Sequence, residues 1–564
     1  MHLLDWIVIS LYFVLIGWVA WWYGRHQKDS VDYFLAGRNA GWVVIGSSIF
    51  TSNIGSEHIV GLAGQGAATG LAMAHWEMHA WCLIVLAGVF VPFYYKSGVQ
   101  TIPEFLEKRF NARTRTILSC VSLVAYVFTK VSVTVYAGAI VFQALLPDTF
   151  GTPQNAFWFG AFFTVIVTGI YTVFGGMRAI MYTATPQAVI ILFGSAVITT
   201  IGLNRLGGWG ELVTLAKDNA DAFALWRPLS HPEFPWLGVL IASPIIGIWY
   251  WCTDQYIVQR ALSAKDLPTA RRGALFGGLL KVWPVFIFLV PGMIGWALHQ
   301  KGIIQLPMKL DSAGLATATI DGDQVFPTLV KTLLPVGIRG LIVACLLAAL
   351  MSSLASLFNS SASLFTVDIY DKLRPGQPAK HLLNVGRLAT GAVVGLGMIW
   401  IPVMAKISGG GLYQYLQSVQ GYLAPPITAV FILGLFWNRI NSRGATWGLA
   451  GGFVLGMIKL TLQGFYGAAE GKIHDPAILA AIGDFNFLYA TGVLFVLSAV
   501  IMVVASLTAP APTAEKLRGL TWTSIRGEWG SEIRKSWDFG NKTLAWAITL
   551  LVGGMYLYFS FWLK

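Results

Sequence analysis

The stretches SNIGSEH at residues 52–58 and WYWCTDQ at residues 249–255 each interrupt a long apolar segment with polar, charged or glycine residues. In a membrane such an interruption is costly, because backbone that leaves helical geometry exposes unpaired N–H and C=O groups to hydrocarbon. It is tolerated only where protein or a water-filled cavity satisfies those groups. The two stretches therefore predict two broken helices around a site for a polar ligand.

The composition of the chain is that of an integral membrane protein. Of its 564 residues, 56% are hydrophobic, 11% are charged and 23 are tryptophan, and the mean hydropathy is +0.65. About fourteen apolar stretches reach the roughly 20 residues that a bilayer core demands. We therefore expect an all-α fold with about 14 transmembrane helices in the lipid bilayer.

The positive charge of the chain is distributed among its loops. The formal net charge is +12 at pH 7, but the basic residues lie in short loops between apolar runs, so nucleic acid is not an expected partner. Alternate loops carry the excess of lysine and arginine, beginning with Arg25 and Lys28. Because such loops stay cytoplasmic, we expect both termini outside a cell (inner or plasma) membrane that the chain crosses many times.

The first interrupted segment carries side chains that are costly to bury in a membrane. Asn53, Glu57 and His58 follow its apolar start, and polar or ionisable groups at such positions are functional candidates. The alternative is close helix packing through small residues, which explains the nearby glycines and not Glu57 or His58. We interpret the segment as part of a binding site.

Further charges lie in apolar surroundings. Glu77, within HWEMH at residues 75–79, either reaches a pocket or lies at the interface in contact with water. Lys281 requires a buried partner, for which Asp254 and Glu77 are both candidates. Lys130 has the same requirement, and a structural role is the alternative for either lysine. The two histidines of residues 75–79 lack a third ligand, so they do not predict a metal site.

Aromatic and amide side chains follow in later segments. Tyr250 and Trp251 offer rings that stack on the apolar face of a ligand, or that anchor the chain at the membrane interface. Gln417 and Gln420 are three residues apart, and their amides both donate to and accept from hydroxyl groups. These side chains suit a sugar.

A later segment offers oxygen ligands for a cation. Ala349, Ser352 and Ser353 are spaced to lie on one helix face. Hydroxyl oxygens beside the free carbonyls of an unwound helix suit Na⁺, and the alternative is serine-mediated helix packing. The chain shows neither a Ser-His-Asp order at plausible spacing nor a phosphate-binding loop, so neither an enzyme with catalytic residues nor ATP-driven transport is predicted.

Three stretches together resemble the sodium/glucose cotransporter branch of the sodium/solute symporter family. They are SNIGSEHIVGLAG at 52–64, WYWCTDQYIVQR at 249–260 and LMSSLASLFNS at 350–360. The similarity runs over about residues 5–508 plus a last helix. It implies a bacterial relative with a five-plus-five inverted-repeat core of the LeuT type and extra helices at both ends.

The resemblance implies a division of the chain into seven parts. These are an N-terminal extra helix at 1–35, a first inverted repeat of helices 2–6 at 36–205, an external loop at 206–236, a second repeat of helices 7–11 at 237–440, helices 12–13 at 441–508, a cytoplasmic loop at 509–542 and a last helix at 543–564.

Carried over by position, the resemblance also implies the site residues. Tyr250 matches the inner gate, and Glu57 is added because it neighbours His58. Substrate contacts are then expected at Asn53, Glu57, His58, Glu77, Tyr250, Trp251, Lys281, Gln417 and Gln420. Na⁺, the coupling ion, is expected at the carbonyls of Thr51 and Ile54, the hydroxyls of Ser352 and Ser353, and the carbonyl of Ala349.

Four positions depart from the family pattern. Ala184 stands where an aspartate is expected, and the missing carboxylate bears on ion coupling and stoichiometry. Thr134 replaces an acid of animal relatives, Gly247 a polar pocket residue, and Glu57 a small residue.

The sequence therefore predicts a secondary active Na⁺-coupled symporter of a glucose- or galactose-like monosaccharide, working by alternating access as a monomer or weak oligomer. One alternative is a Na⁺ symporter of another small polyol or solute, for example an inositol-like one. Another is an uncoupled sugar-gated sensor or channel on the same fold. An anionic substrate is disfavoured by Glu57 and Glu77.

Overall fold

The computed structural model of the protein describes the backbone of residues 2–25, 27–146, 150–310, 316–407, 412–468 and 471–564. Within these ranges the side chains at 56–57, 128–129, 310, 316, 318, 400–407 and 412–415 lie outside the description. The described chain is helical except for one small hairpin.

The first part of the chain forms eleven helices, several of which are joined end to end through short π-helical turns. They are α1 (Leu3–Gly24), α2 (Ser30–Leu35), α3 (Trp42–Asn53), α4 (Ser56–Thr69), α5 (Ala74–Glu77), α6 (Ala80–Val85), α7 (Val91–Ser97), α8 (Ile102–Arg109), α9 (Ala112–Ala125), α10 (Ser132–Leu145) and α11 (Pro153–Leu206).

The rest of the chain continues the pattern and includes the hairpin, whose antiparallel register pairs Met308 with Ile320. Its elements are α12 (Trp209–Lys217), α13 (Ala220–Phe223), α14 (Trp236–Ile248), α15 (Gln255–Leu262), α16 (Leu267–Lys281), α17 (Val290–Gln300), β1 (Met308–Leu310), β2 (Ala316–Ile320), α18 (Gly322–Leu333), α19 (Ile338–Ser363), α20 (Asp371–Leu373), α21 (Ala379–Ile407), α22 (Leu412–Phe436), α23 (Ser442–Phe465), α24 (Ala477–Asp484), α25 (Phe487–Leu507), α26 (Ala514–Leu517), α27 (Trp522–Lys535) and α28 (Phe539–Phe561).

Eleven helical runs among the described residues are long and apolar enough to cross a membrane. The predicted fourteen include two segments that the structure divides into shorter helices, α3 with α4 and α9 with α10, and two that it joins in α11. The all-helical membrane fold is thus confirmed. The count of fourteen, the five-plus-five repeat, the domain boundaries and the outward termini stay predictions.

Helix α11 is 54 residues long and folds back on itself. Gly176 interrupts it with φ 56° and ψ −161°. On one side Tyr171 Oη donates to the carbonyl of Met351 at 3.0 Å, and on the other Gln187 Nε2 donates to Tyr12 Oη at 3.2 Å. Because Tyr12 Oη lies 3.8 Å from Met351 Sδ, positions that a straight helix would separate by about 24 Å meet the same neighbours.

Both predicted interruptions are present. Helix α3 ends at Asn53, extended backbone at Ile54 and Gly55 follows, and α4 begins at Ser56. Helix α14 continues through a π-helical turn at Trp249–Thr253, and extended backbone at Asp254 precedes α15. Both breaks are buried in the main hydrophobic core, where protein groups surround the backbone that leaves helical geometry.

Candidate functional site

A cavity lies between the two broken helices, α5–α6, α10, α16, α19 and α22. Its volume is about 40 Å³. It is lined by Asn53, His58, Trp76, Glu77, His79, Lys130, Thr134, Ile246, Tyr250, Trp251, Tyr256, Lys281, Leu357, Leu416, Gln417 and Gln420.

Eight of the nine predicted substrate residues line this cavity, although they come from five separate parts of the chain. The ninth is Glu57, whose side chain lies outside the described residues. The structure therefore brings the predicted set together in one place. Their contact with a substrate stays a prediction.

The first break places Asn53 and His58 at the cavity. Asn53 Nδ2 donates to Tyr250 Oη at 3.1 Å, which joins the two breaks directly. The Asn53 side-chain oxygen is buried and has no hydrogen-bond partner in the part of the chain that the structure describes. His58 Nδ1 accepts from the backbone N–H of Gly55 at 3.4 Å, so the imidazole holds the start of α4. The break thus presents one amide oxygen to a ligand.

Glu77 and Lys281 form a buried ion pair in the cavity wall. The Glu77 Oε2 to Lys281 Nζ distance is 2.5 Å, and the side chains are 1% and 2% exposed. Lys281 Nζ also lies 5.7 Å from the centre of the Trp251 ring. Of the two predicted partners of Lys281 the structure selects Glu77, and the predicted alternative of an interfacial Glu77 is wrong because the carboxylate is buried.

Asp254 pairs instead with Lys130, the lysine of the fourth segment. Lys130 Nζ lies 2.6 Å from Asp254 Oδ2, and Tyr126 donates to the other carboxylate oxygen. The Asp254 carboxylate also accepts from the backbone N–H of Tyr256 at 3.2 Å and so caps α15. The rings of Tyr126, Trp249, Tyr250 and Tyr256 surround the ammonium at 4.7 to 5.1 Å.

The two predicted glutamines extend the polar wall from α22. Both Gln417 and Gln420 are buried and line the cavity. The Gln417 side-chain oxygen has no hydrogen-bond partner within the described protein. Leaving such a group unpaired is costly, so Gln417 is suited to accept a hydrogen bond from a ligand.

Several lining residues were not among the predicted substrate contacts. Lys130 and Thr134 are singled out by the sequence, as a buried charge and as a departure from the family pattern, and their four-residue spacing indicates that they share a helix face. Trp76 and His79 gave no such signal. Trp76 belongs to α5 beside Glu77, and His79 reaches the same cavity through the irregular backbone between α5 and α6. The remaining additions are apolar or aromatic, namely Ile246, Tyr256, Leu357 and Leu416.

The residues predicted to hold Na⁺ lie where α3 ends against α19. Ser353 Oγ donates to the carbonyl of Ser52 at 3.1 Å. Among the described residues the buried hydroxyl of Ser352 has no hydrogen-bond partner. Thr51, Ile54 and Ala349 are fully buried. The structure thus places the end of the first broken helix against Ser353 of α19.

A model of the sodium:solute symporter family matches residues 33–452. The chain belongs to this family. Sodium/glucose cotransporter 4 of Danio rerio is 39% identical to this symporter, and the alignment covers 94% of this chain and 83% of the relative. Sodium/myo-inositol cotransporter of Canis lupus familiaris is 38% identical over 92% of the chain and 75% of the relative. Sodium/glucose cotransporter 1 of Oryctolagus cuniculus is 37% identical over 96% of this chain and 84% of the relative.

Among solved structures, the symporter resembles a Na⁺-coupled sialic acid symporter in its substrate-bound outward-open state. The TM-score is 0.73 at 23% identity, over 91% of this chain and 99% of that one. This likeness supports the fold alone. The family and the relatives are transporters and not enzymes. The protein is therefore a multi-pass, sodium-coupled membrane symporter.

Proposed function

We propose that this symporter carries a neutral monosaccharide of the glucose or galactose type. The observation that carries the proposal is the charge balance of the cavity. Lys281 and Lys130 lie 2.5 and 2.6 Å from the carboxylates of Glu77 and Asp254, so the described charges leave no excess of either sign. Among the described side chains a charged substrate would meet no counter-charge that lacks a partner, whereas hydroxyl groups can share these charge-assisted hydrogen bonds.

The sugar contacts follow from the chemistry of the lining groups. The side-chain oxygens of Asn53 and Gln417, which have no partner among the described residues, accept hydrogen bonds from sugar hydroxyls. The imidazole of His58, whose Nδ1 accepts from Gly55, donates through its other ring nitrogen. Tyr250 and Trp251 cover the apolar face of the ring. We assign substrate binding to these residues together with Glu57, Glu77, Lys281 and Gln420.

For the coupling ion we propose the oxygen cluster between α3 and α19. The ligands are the carbonyls of Thr51, Ile54 and Ala349 and the hydroxyls of Ser352 and Ser353. The buried, unpartnered Ser352 hydroxyl supports this assignment. A hard cation such as Na⁺ is held by oxygen donors of this kind beside an unwound helix.

Coupling then follows from linked equilibria. Na⁺ drives transport only if it binds the outward-open state better than the other states. The proposed cation site and Asn53 lie on the same broken helix, and Asn53 donates to Tyr250, the proposed inner gate. Sodium binding at the end of α3 is thereby connected to the gate through one hydrogen bond. Rocking of one repeat against the other would release both solutes past Tyr250.

A cyclitol is the second candidate substrate. Myo-inositol is a neutral ring of hydroxyl groups, so the same cavity chemistry would accept it, and a sodium/myo-inositol cotransporter is almost as similar to this chain as a sodium/glucose one. An uncoupled sugar-gated sensor or channel is the third. It is favoured only by Ala184, a buried side chain that offers no oxygen to a cation.

The test is uptake by purified protein in proteoliposomes. Radiolabelled glucose, galactose and myo-inositol are offered under an inward Na⁺ gradient, with an equal K⁺ gradient and a proton gradient as controls. Sodium-dependent accumulation of a hexose above equilibrium supports the proposal. Accumulation of myo-inositol alone selects the second candidate, and sugar-evoked current without accumulation selects the third.

A further inference from the structure

His79 lies in a notch on the surface of helix α14. Its Nε2 is 2.7 Å from the hydroxyl of Ser243. A Cβ atom added at Gly247, one turn further along α14, would lie 3.4 Å from His79 Nδ1 and Cε1 and 2.7 Å from Cys82 Sγ. Ser243 and Gly247 are four residues apart and share a helix face. The small side chain of Ser243 and the absence of a side chain at Gly247 thus leave the space that the imidazole ring of His79 fills.

The ring is also part of the cavity wall. His79 is 3% exposed and lines the cavity with Glu77. Residues two apart normally lie on different sides of a helix, but α5 ends at Glu77 and α6 begins only at Ala80. The irregular backbone between them turns both side chains to the same space. His79 is therefore presented to the cavity by a local distortion and held there by Ser243.

We propose that His79 hydrogen-bonds one hydroxyl of the substrate and so determines which neutral polyol is accepted, with Ser243 as its positioning residue. The proposal rests on the proposed function of the cavity. A neutral imidazole has one donor and one acceptor nitrogen. With Nε2 engaged by Ser243, Nδ1 is the ring nitrogen that the described contacts leave for a ligand, and the bond at Nε2 fixes the orientation of the ring.

The test measures recognition of individual hydroxyl groups. Uptake into proteoliposomes is compared for glucose and its four monodeoxy analogues at carbons 2, 3, 4 and 6, in the wild type, His79→Phe and Ser243→Ala. Loss of one neutral hydrogen bond lowers kcat/KM roughly 2- to 12-fold. We expect the wild type to discriminate by such a factor at one hydroxyl, and His79→Phe to abolish the discrimination at that position while keeping it at the others. Ser243→Ala should weaken it at the same position.

Matched controls separate this effect from a folding defect. His75→Phe makes the same change four residues earlier, where the ring contacts the Leu225 carbonyl and Tyr556 outside the cavity. It should change the yield of folded protein and not the deoxy-sugar profile. The concentration of Na⁺ for half-maximal uptake should stay unchanged in both cavity variants, as it would not if the whole site were distorted.

The outcomes distinguish the two proposals. If the wild type accumulates neither hexose nor inositol, the proposed function fails whatever His79 does. If the wild type accumulates a hexose and both variants retain its deoxy-sugar profile, the role of His79 is refuted and the function stands. A loss spread evenly over all four positions also refutes it, because a single hydrogen bond concerns a single hydroxyl.

Discussion

The two broken helices open onto one cavity, but different chemistry holds each break. The described contacts at the break after α3 join neutral groups, with the Ser52 carbonyl accepting from Ser353 at 3.1 Å. The break before α15 is held by the Asp254 carboxylate, which Lys130 approaches to 2.6 Å. Within the described part of the chain, the Asn53 side-chain oxygen at the first break has no partner, whereas the charge at the second break is already matched.

This difference assigns the two breaks different tasks. A cation requires oxygen ligands that are not already neutralised. Ser353 contacts the first break, and the hydroxyl of its neighbour Ser352 is buried without a partner among the described residues. At the second break a cation would compete with a lysine ammonium at hydrogen-bond distance. We infer that the first break binds the ion and that the second fixes the aromatic gate, and the following variants test this division.

The largest effect is expected from breaking the buried ion pair of Asp254 and Lys130. Asp254→Ala leaves the buried Lys130 without this carboxylate, which costs about 3–5 kcal/mol of folding stability. The melting temperature in detergent should therefore be much lower, and uptake should be lost. Lys130→Ala with Asp254→Ala should recover part of the stability. The control is Glu211→Ala, which breaks the half-exposed pair with Lys301 and should cost about 0–1 kcal/mol. Equal losses of stability in Asp254→Ala and Glu211→Ala would contradict a special role of the Asp254–Lys130 pair.

A smaller and selective effect is expected at the first break. Ser352→Ala removes one proposed ligand, and a hydrogen-bonding contact to a charged group is worth about 1.5–3 kcal/mol. The Na⁺ concentration for half-maximal uptake should therefore rise about tenfold or more, with little change in folding stability. Ser361→Ala, on the same helix and also with a buried unpartnered hydroxyl, is the matched control. An equal rise of the half-maximal Na⁺ concentration in Ser352→Ala and Ser361→Ala would contradict Na⁺ binding at Ser352.

The cavity wall between the breaks should respond to sugar and not to sodium. Gln417→Ala deletes an acceptor that has no partner among the described residues, so the sugar KM should rise by roughly 2- to 12-fold. Half-maximal Na⁺ should change less. Gln305→Ala, at an exposed position, is the control. Equal changes in the sugar and sodium parameters would count against the substrate assignment of Gln417.

The smallest effect concerns pH and the helix that packs on the second half of the first broken helix. Gly322 of α18 touches Gly64 of α4. Burial, with Asp321 nearby, raises the pKa of Asp323 from 3.8 to about 6. The pKa of Asp323 is higher in the folded protein than the ordinary value of 3.8, so folding favours the protonated acid. The packing of α18 on α4 is therefore most stable at low pH, and it loses stability as pH rises towards about 6.

We therefore expect the melting temperature to be higher at pH 5.5 than at pH 7.5. Asp323→Asn should reduce this difference, because the amide does not titrate. A variant with the full wild-type pH dependence would show that other groups are responsible.

The sequence by itself determined much of the site. Polar residues in apolar segments are expensive, so Asn53, His58, Glu77, Lys281 and Gln417 could be selected without any structure. The same cost located both breaks to within a few residues. The resemblance supplied the family, and the matching family model and relatives confirm it.

Only the tertiary structure decided how these groups are paired. Glu77 and Lys281 are 204 residues apart and Lys130 and Asp254 are 124 apart, so local periodicity carries no information about which carboxylate meets which lysine. Likewise His79 joins the cavity only because the backbone between α5 and α6 is irregular and α14 has a notch at Gly247. Residue type fixes what must be neutralised in a membrane, but long-range packing fixes the partner.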